Sequence, residues 1–263
     1  MLTKKIKKRP SPITKGKPEK KLLIRIKKHA GRNSAGKITV RHRGGGVKRL
    51  YRKINFGQER IGQSAQVIAI EYDPYRTAYI MLLEYEDGKK AYRIAPKGIN
   101  VKESITIAEK ALVKIGNRTR LEDIPIGTMV FNIELIPEEG GKIVRSAGVS
   151  AEILAHEGKY TNLKMPSKEV RRVNRKCFAT VGRVSHFDHR FEKLRKAGQT
   201  RLKGRRPQVR GTVMAPNAHP HGGGEGKTPI GMPGPKTPWG KPARGVKTRR
   251  RKSTTKYIIS RRK

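Results

Sequence analysis

Positive charge is spread so unevenly along this chain that it limits what each part can fold into. Met1–Lys53 carries 20 Lys and Arg against one acid, Glu19, and Arg195–Lys263 carries 20 against one acid, Glu225. Between them, Ile54–Leu194 has 23 bases and 18 acids, so a near-neutral body is flanked by two arms of net +19 each. Self-repulsion and few apolar side chains leave the arms unable to offset a chain entropy of roughly 1–2 kcal/mol per residue. They are expected to order only on a polyanion. A membrane surface also attracts cations, but the Lys-rich start has no apolar core or cleavage site, and no long apolar run follows. Lys4–Arg9 is Lys-rich and followed by Pro10, unlike an amphipathic transit peptide. No membrane partner is therefore expected. The single cysteine, Cys177, fits a reducing compartment and is expected to be a small buried hydrophobe in a strand over Cys177–Val181.

The body has the rhythm of an all-β protein. Gln66–Tyr72 is apolar and β-branched, Asp73-Pro74-Tyr75-Arg76 breaks it, and Thr77–Tyr85 follows. Asp87-Gly88 then signals a hairpin into Lys90–Ile94, with a further strand near Ile105–Ile107. Antiparallel strands at this spacing predict a small closed barrel, which removes exposed edges. After Leu121–Gly127 a second set predicts a second barrel: Met129–Ile136, Lys142–Ser146, Ser150–His156, Tyr160–Met165, Glu169–Asn174 and Cys177–Val181. Ser185-x-x-Asp188 has the form of a capping box, with Phe187, Phe191 and Leu194 at helical spacing and Gly198 as the stop. The expected organisation is a basic extension over 1–58, a first barrel over 59–126, a second over 127–197 with a terminal helix, and a basic Gly/Pro-rich extension over 198–263.

Three glycine-rich segments in the arms carry the candidate chemistry. His219-Pro-His221-Gly222-Gly223-Gly224-Glu225-Gly226 and Arg41-His42-Arg43-Gly44-Gly45-Gly46 set imidazoles and guanidinium groups beside bare backbone, and Gly31-Arg32-Asn33-Ser34-Ala35-Gly36 repeats the pattern. Glycine lets the main chain approach a surface closely and visit φ > 0, and its N–H groups are expected to cradle phosphate oxygens while Lys and Arg supply attraction. A solvated tail accounts for Met1–Lys21 but not for three consecutive glycines flanked by Arg and His in both arms.

Other chemistries fit less well. Gly222–Thr228 is close to the nucleotide-binding pattern G-x-x-x-x-G-K-[ST], but His221 stands where its first glycine belongs, and Pro229, Pro233 and Pro235 forbid the helix that must follow. His219 and His221 make at most half a metal site, and the spacing of His186 and His189 to Cys177 matches no zinc pattern, so no metal or other cofactor is expected. Acid–base use of the histidines has only Glu225 nearby and no identifiable nucleophile. Tyr72, Tyr79, Tyr85 and Tyr92 lack the paired stacking signature of a single-strand reader, and no recognition helix for duplex DNA is visible. Recognition of folded RNA through its backbone and shape fits best. An RNA-processing enzyme using the paired histidines and a chromatin-like packaging protein are the alternatives from other classes.

Taken in order, several segments together resemble the universal large-subunit ribosomal protein family number two (the "L-two" family), in its bacterial or organellar form. They are Gly31–Arg52, Tyr72-Asp73-Pro74, Gly127–Gly148 ending Arg145-Ser146-Ala147-Gly148, Arg205–Gly226 and Thr237-Pro238-Trp239-Gly240. The resemblance implies an oligonucleotide-binding-fold barrel followed by an SH3-like barrel, with extensions threading into large-subunit rRNA near the peptidyl transferase centre. It further implies roles in subunit association, tRNA binding and assembly of that centre. The partners so implied are rRNA, other ribosomal proteins and the small subunit at an intersubunit bridge, with no homo-oligomer, in a cytoplasmic or organellar ribosome.

The family's functional loop falls on His219, His221 and Gly222–Gly224, but Ala218 stands where the family usually has aspartate, so an Asp–His proton relay is not expected and the histidines are read as scaffold. The protein is expected to be no enzyme. The residues expected at RNA are Arg32, Arg41, His42, Arg43, Gly44, Gly45, Gly46, Arg49 and Arg52 in the first arm. In the second they are Arg201, Lys203, Arg205, Arg206, Arg210, His219, His221, Gly222, Gly223, Gly224, Lys227 and Trp239.

Overall fold

A computed structural model describes residues 12–57 and 59–262. Strands make up 27% of the chain and helix 9%, so the fold is all-β as the sequence predicts. In chain order the strands are β1 (Leu23–Ile24), β2 (Tyr51–Arg52), β3 (Ser64–Glu71), β4 (Ile80–Tyr85), β5 (Lys90–Ile94), β6 (Ser104–Thr106) and β7 (Arg118–Arg120). Next come β8 (Met129–Phe131), β9 (Ala151–Glu157), β10 (Tyr160–Lys164), β11 (Val170–Asn174), β12 (Phe178–Val181) and β13 (Ile258–Ser260). Among the described residues the one α-helix, α1, spans Ala197–Leu202. Two compact units emerge. The larger holds residues 12–26, Arg49–Lys193 and 254–262; the smaller holds Lys27–Lys48 and Leu194–Ser253.

The larger unit contains a four-stranded antiparallel sheet, in the order β5-β4-β3-β6, and a seven-stranded one, β13-β11-β10-β9-β8-β12-β7. In the first, β4 has a continuous apolar run because both its faces are covered. Successive strand side chains point to opposite faces. Met81, Leu83 and Tyr85 pack with Ala65, Val67 and Ile105, whereas Ile80 and Leu82 pack with Ile54, Ala69 and Tyr92. Leu22 comes from the first basic arm and Ile54 directly follows it, so part of that arm is a lid on the sheet rather than an extension. The β4–β5 hairpin turns at Asp87-Gly88 as expected: Gly88 has φ +71°, and the Lys89 amide donates to Asp87 Oδ1 at 3.2 Å. The second core gathers Leu121, Ile124, Val130, Phe131, Ile153, Leu163, Val173 and the fully buried Cys177. Burial pushes the Cys177 thiol up to about 12, so it packs as a neutral hydrophobe just before β12.

The structure corrects several expectations. The strand expected over Met129–Ile136 ends at Phe131, and Lys142–Ser146 forms only an isolated bridge, Ile133 to Ile143. Asn132 (φ +49°) and Val144 (φ +55°) are left-handed, and the Asn132 amide donates to the Val144 carbonyl at 2.9 Å, closing a compact corner where a ladder cannot continue. The capping box is absent. His186 sits at φ +59°, Phe187–Phe191 is a 3-10 turn, and Ser185 Oγ instead accepts the Tyr79 amide at 3.2 Å. Phe191 and Leu194 are exposed, and Gly198 lies inside α1 instead of ending a helix.

Three pieces of sheet were not expected from the sequence, and the Arg-Thr-Arg of β7 carries no apolar signature at all. Arg118–Arg120 pairs with β12, because Arg118 is buried against Glu134 at 2.9 Å and also donates to the Asn132 carbonyl at 2.7 Å. Desolvation brings the Arg118 guanidinium down to about 10, still charged near neutrality. β7 thus precedes residue 126 yet belongs to the second sheet. Ile258–Ser260 pairs with β11, drawing the end of the second arm into the larger unit. Leu23–Ile24 pairs with Tyr51–Arg52 and does the same for the first arm.

Candidate nucleic-acid interface

The smaller unit has 23 Lys and Arg against one acid, Glu225, in 82 residues. Exactly balanced ion pairing is impossible there, since one carboxylate faces 23 cations. The Arg60–Asp87, Arg76–Asp73 and Arg118–Glu134 pairs all lie in the larger unit. Among the smaller unit's residues, His219 alone is buried, with 7% of its surface exposed. A segment with one buried side chain and a large unneutralised charge is organised by backbone contacts, and its surface is left for an external polyanion.

Those backbone contacts bring the two arms together. Arg43 and Arg205 form an antiparallel bridge, the Gly44 amide donates to the Gly204 carbonyl at 2.9 Å, and the Val47 amide donates to the Leu202 carbonyl at 3.0 Å. The Arg206 amide donates to the His42 carbonyl, while His42 Nδ1 donates to the Pro207 carbonyl, each at 3.0 Å. Gly46, at φ +60°, is where the strands approach most closely: a Cβ there would lie 2.7 Å from the Leu202 carbonyl oxygen. The Arg41 guanidinium stands 5.0 Å over the ring of Trp239, which is 74% exposed. That is a flat cationic–aromatic surface of the kind nucleic acid stacks on or grips by its phosphates. Arg32 is turned inward to the Gly36 carbonyl at 2.7 Å. Arg201 is in α1, Lys203 caps it, and Arg205, Arg206 and Arg210 are exposed. Lys227 lies in the loop beyond Gly226. Arg49 and Arg52 fall in the larger unit instead. Arg49 donates to the Pro74 carbonyl and Arg52 to the Leu50 carbonyl, each at 2.9 Å.

The histidine–glycine loop is built around His219. Its Nδ1 accepts the His221 amide at 3.0 Å, and its carbonyl accepts the Gly222 amide at 2.8 Å. His221 Nε2 accepts the Lys236 amide at 2.9 Å. Both imidazoles therefore use a ring lone pair to fix backbone, with rings 4.7 Å apart. Gly211 makes room for the buried ring, since a Cβ there would lie 2.6 Å from its atoms. Gly211 is required by His219 eight residues on, and Gly204 by Gly44 and Gly46, remote in the chain.

This geometry changes the part played by the glycines. The amides of Gly44, Gly222 and Gly223 were expected at phosphate, but they donate to the carbonyls of Gly204, His219 and Met214. Here absence of a side chain lets the backbone segments approach closely. Gly45 meets nothing within 4 Å of an added Cβ, and Gly224, at φ +84°, turns the loop. What faces outward is the set of Arg and Lys side chains that these contacts space.

Two family models match the chain. One, described as "Ribosomal Proteins L2, RNA binding N-terminal domain", matches residues 19–107. The other, "Ribosomal Proteins L2, C-terminal domain", matches residues 114–240 and so includes the His219 loop. The all-β larger unit fits the oligonucleotide-binding-like and SH3-like barrels of those two domains.

Proposed function

Because the chain belongs to the ribosomal protein L2 family, and is thus a large-subunit ribosomal protein with an RNA-binding domain, we propose that its work is architectural. The larger unit is a rigid body that the protein anchors in the subunit. The smaller unit neutralises rRNA phosphates where helices crowd, and through it the protein supports assembly of the peptidyl transferase centre, subunit association and tRNA binding. Its partners are large-subunit rRNA, neighbouring ribosomal proteins and the small subunit at a bridge, in the ribosome of a bacterial cytoplasm or an organelle.

The observation that carries this reading is a unit of 82 residues with 23 cations, one carboxylate and one buried side chain. Arg41, Arg43, Arg201, Lys203, Arg205, Arg206, Arg210 and Lys227 are the phosphate contacts, Trp239 is a stacking surface, and the glycines with His42, His219 and His221 hold the backbone that spaces them. The buried His219 and the two occupied ring acceptors favour a scaffold over acid–base catalysis.

His219→Ala is expected to slow maturation of the large subunit more than peptide-bond formation by particles already assembled, measured by gradient sedimentation beside a single-turnover peptidyl transfer assay. Normal assembly with abolished chemistry would contradict the proposal. Crosslinking of tagged protein, followed by sequencing of the bound RNA, is expected to map contacts to rRNA through residues 27–48 and 194–253.

A further inference from the structure

The 3-10 turn that replaced the expected helix places three potential ligands on one side of the larger unit. His186, His189 and Glu192 are spaced by three, the period at which side chains eclipse in a turn with 3.0 residues per repeat. The turn is closed by the His189 amide on the His186 carbonyl at 3.1 Å and the Glu192 amide on the His189 carbonyl at 3.2 Å. One ligand atom from each of the three residues falls within 4.8 Å of the others. His186 Nε2 lies 3.2 Å from Glu192 Oε1, and His189 Nδ1 lies 3.1 Å from Glu192 Oε2.

Hydrogen bonding around His186 favours a metal over a simple ion-pair network. Its Nδ1 is 2.6 Å from the Thr77 carbonyl, which can only accept, so Nδ1 carries the proton. The other ring nitrogen, Nε2, is the one turned toward the Glu192 carboxylate. A ring nitrogen tied to a backbone carbonyl, with the other nitrogen free to bind, is how metal-ligating histidines are held. The Tyr79 ring, stacked 4.3 Å from that of His186, fixes its plane further. His189 Nδ1 is buried and satisfied by no hydrogen bond, although it faces the same carboxylate. Tetrahedral zinc with ligands at about 2.0–2.1 Å sets donor atoms roughly 3.3 Å apart, a spacing that each imidazole has to one oxygen of the Glu192 carboxylate.

We propose that His186 Nε2, His189 Nδ1 and the Glu192 carboxylate bind one divalent transition-metal ion of the zinc class, with water completing four-coordination. Two imidazoles and one carboxylate suit zinc or cobalt, not the hard oxygen-seeking calcium and magnesium. The ion ties the turn at Phe187–Phe191 to the loop bearing Thr77. This assignment replaces the expectation of no metal, which rested on the spacing of His186 and His189 to Cys177. Cys177 is not among the ligands, and Glu192 supplies the missing one.

Full-length protein stripped by a chelator should be titrated with Co²⁺ and then Zn²⁺. One equivalent of Co²⁺ is expected to produce the intense visible bands of four-coordinate cobalt, and one equivalent of Zn²⁺ to abolish them. Glu192→Gln, at a half-exposed position where folding is little affected, and His189→Ala should each weaken Co²⁺ binding at least tenfold. His219→Ala should leave it unchanged. The proposal is overturned by the absence of a saturable one-equivalent signal, by equal affinity in Glu192→Gln, or by loss of the signal in His219→Ala.

Discussion

The described residues of the larger unit carry a net charge of +15 over 168 residues, and the smaller unit carries +22 over 82. In the larger, 34 cations are offset by 19 acids among the described residues, and every buried residue of the described chain except His219 lies there. We propose that stability rests mainly with the larger unit and attraction to RNA mainly with the smaller. The larger unit has cores whose side chains leave water, so its fold is self-supporting at roughly 25 cal/mol per Å² of apolar surface. The smaller has turns, bridges and glycine contacts, each worth little against its self-repulsion, and requires counter-charge to hold its form.

The largest effect that should separate the units comes from the buried Arg118–Glu134 pair. Glu134 also accepts the Phe178 amide at 3.0 Å and the Glu138 amide at 3.2 Å. Glu134→Ala leaves a buried guanidinium without its partner and should cost about 3–5 kcal/mol. Calorimetry of the purified chain should show the transition of the larger unit falling by roughly ten degrees. An unchanged transition would mean that this unit does not rest on its core.

Next in size is a substitution confined to the smaller unit. Gly222→Ala puts a Cβ within 2.6 Å of the Met214 carbonyl oxygen, forcing open the turn around His219. Incorporation into large subunits should drop several-fold while the melting of the larger unit stays within a degree. Gly198→Ala is the matched control, because its Cβ meets nothing within 4 Å and its φ is not positive. It should leave both readouts unchanged.

Single charge removals come third. Arg43→Gln or Arg206→Gln should reduce the slope of log affinity for rRNA against log salt by about 0.7–0.9, one phosphate's share. Arg49→Gln should change that slope less, since its guanidinium is engaged by the Pro74 carbonyl and lies 5.8 Å from the Tyr75 ring centre. Equal slopes for all three variants would erase the distinction between the units.

The smallest effect concerns Glu71. Burial raises its carboxyl above the ordinary value, against the opposing hydrogen bond donated by Tyr92 at 2.8 Å. The folded state therefore holds this proton more tightly than the unfolded chain. Its contribution to stability is intact at pH values below the unfolded carboxyl's and is lost as pH rises through the folded one. Glu71→Gln should melt slightly higher than the parent at pH 7 and equally near pH 4. A lower melting point at pH 7 would reverse the sign.

Much of the larger unit was legible because period-two apolar runs and the Asp87-Gly88 turn are local signals. β3 to β6 and β9 to β12 follow them within a few residues. β7 was not legible, since Arg118-Thr119-Arg120 owes its place to Glu134 and to strand β12, both distant in sequence. The left-handed corner at Asn132 and Val144 likewise depends on a remote pairing. At the candidate interface, residue types showed what the surface attracts, but not which glycines serve internal packing. That role was set by contacts between residues 42–47 and 202–207, which no local pattern encodes.

Amide hydrogen exchange on the full chain, free and bound to large-subunit rRNA, tests the division most directly. In RNA-free buffer the amides of β3, β4, β9, β10 and β12 should be strongly protected and those of 27–48 and 194–253 should exchange quickly, becoming protected only with RNA. Strong protection throughout the smaller unit without RNA would contradict the account.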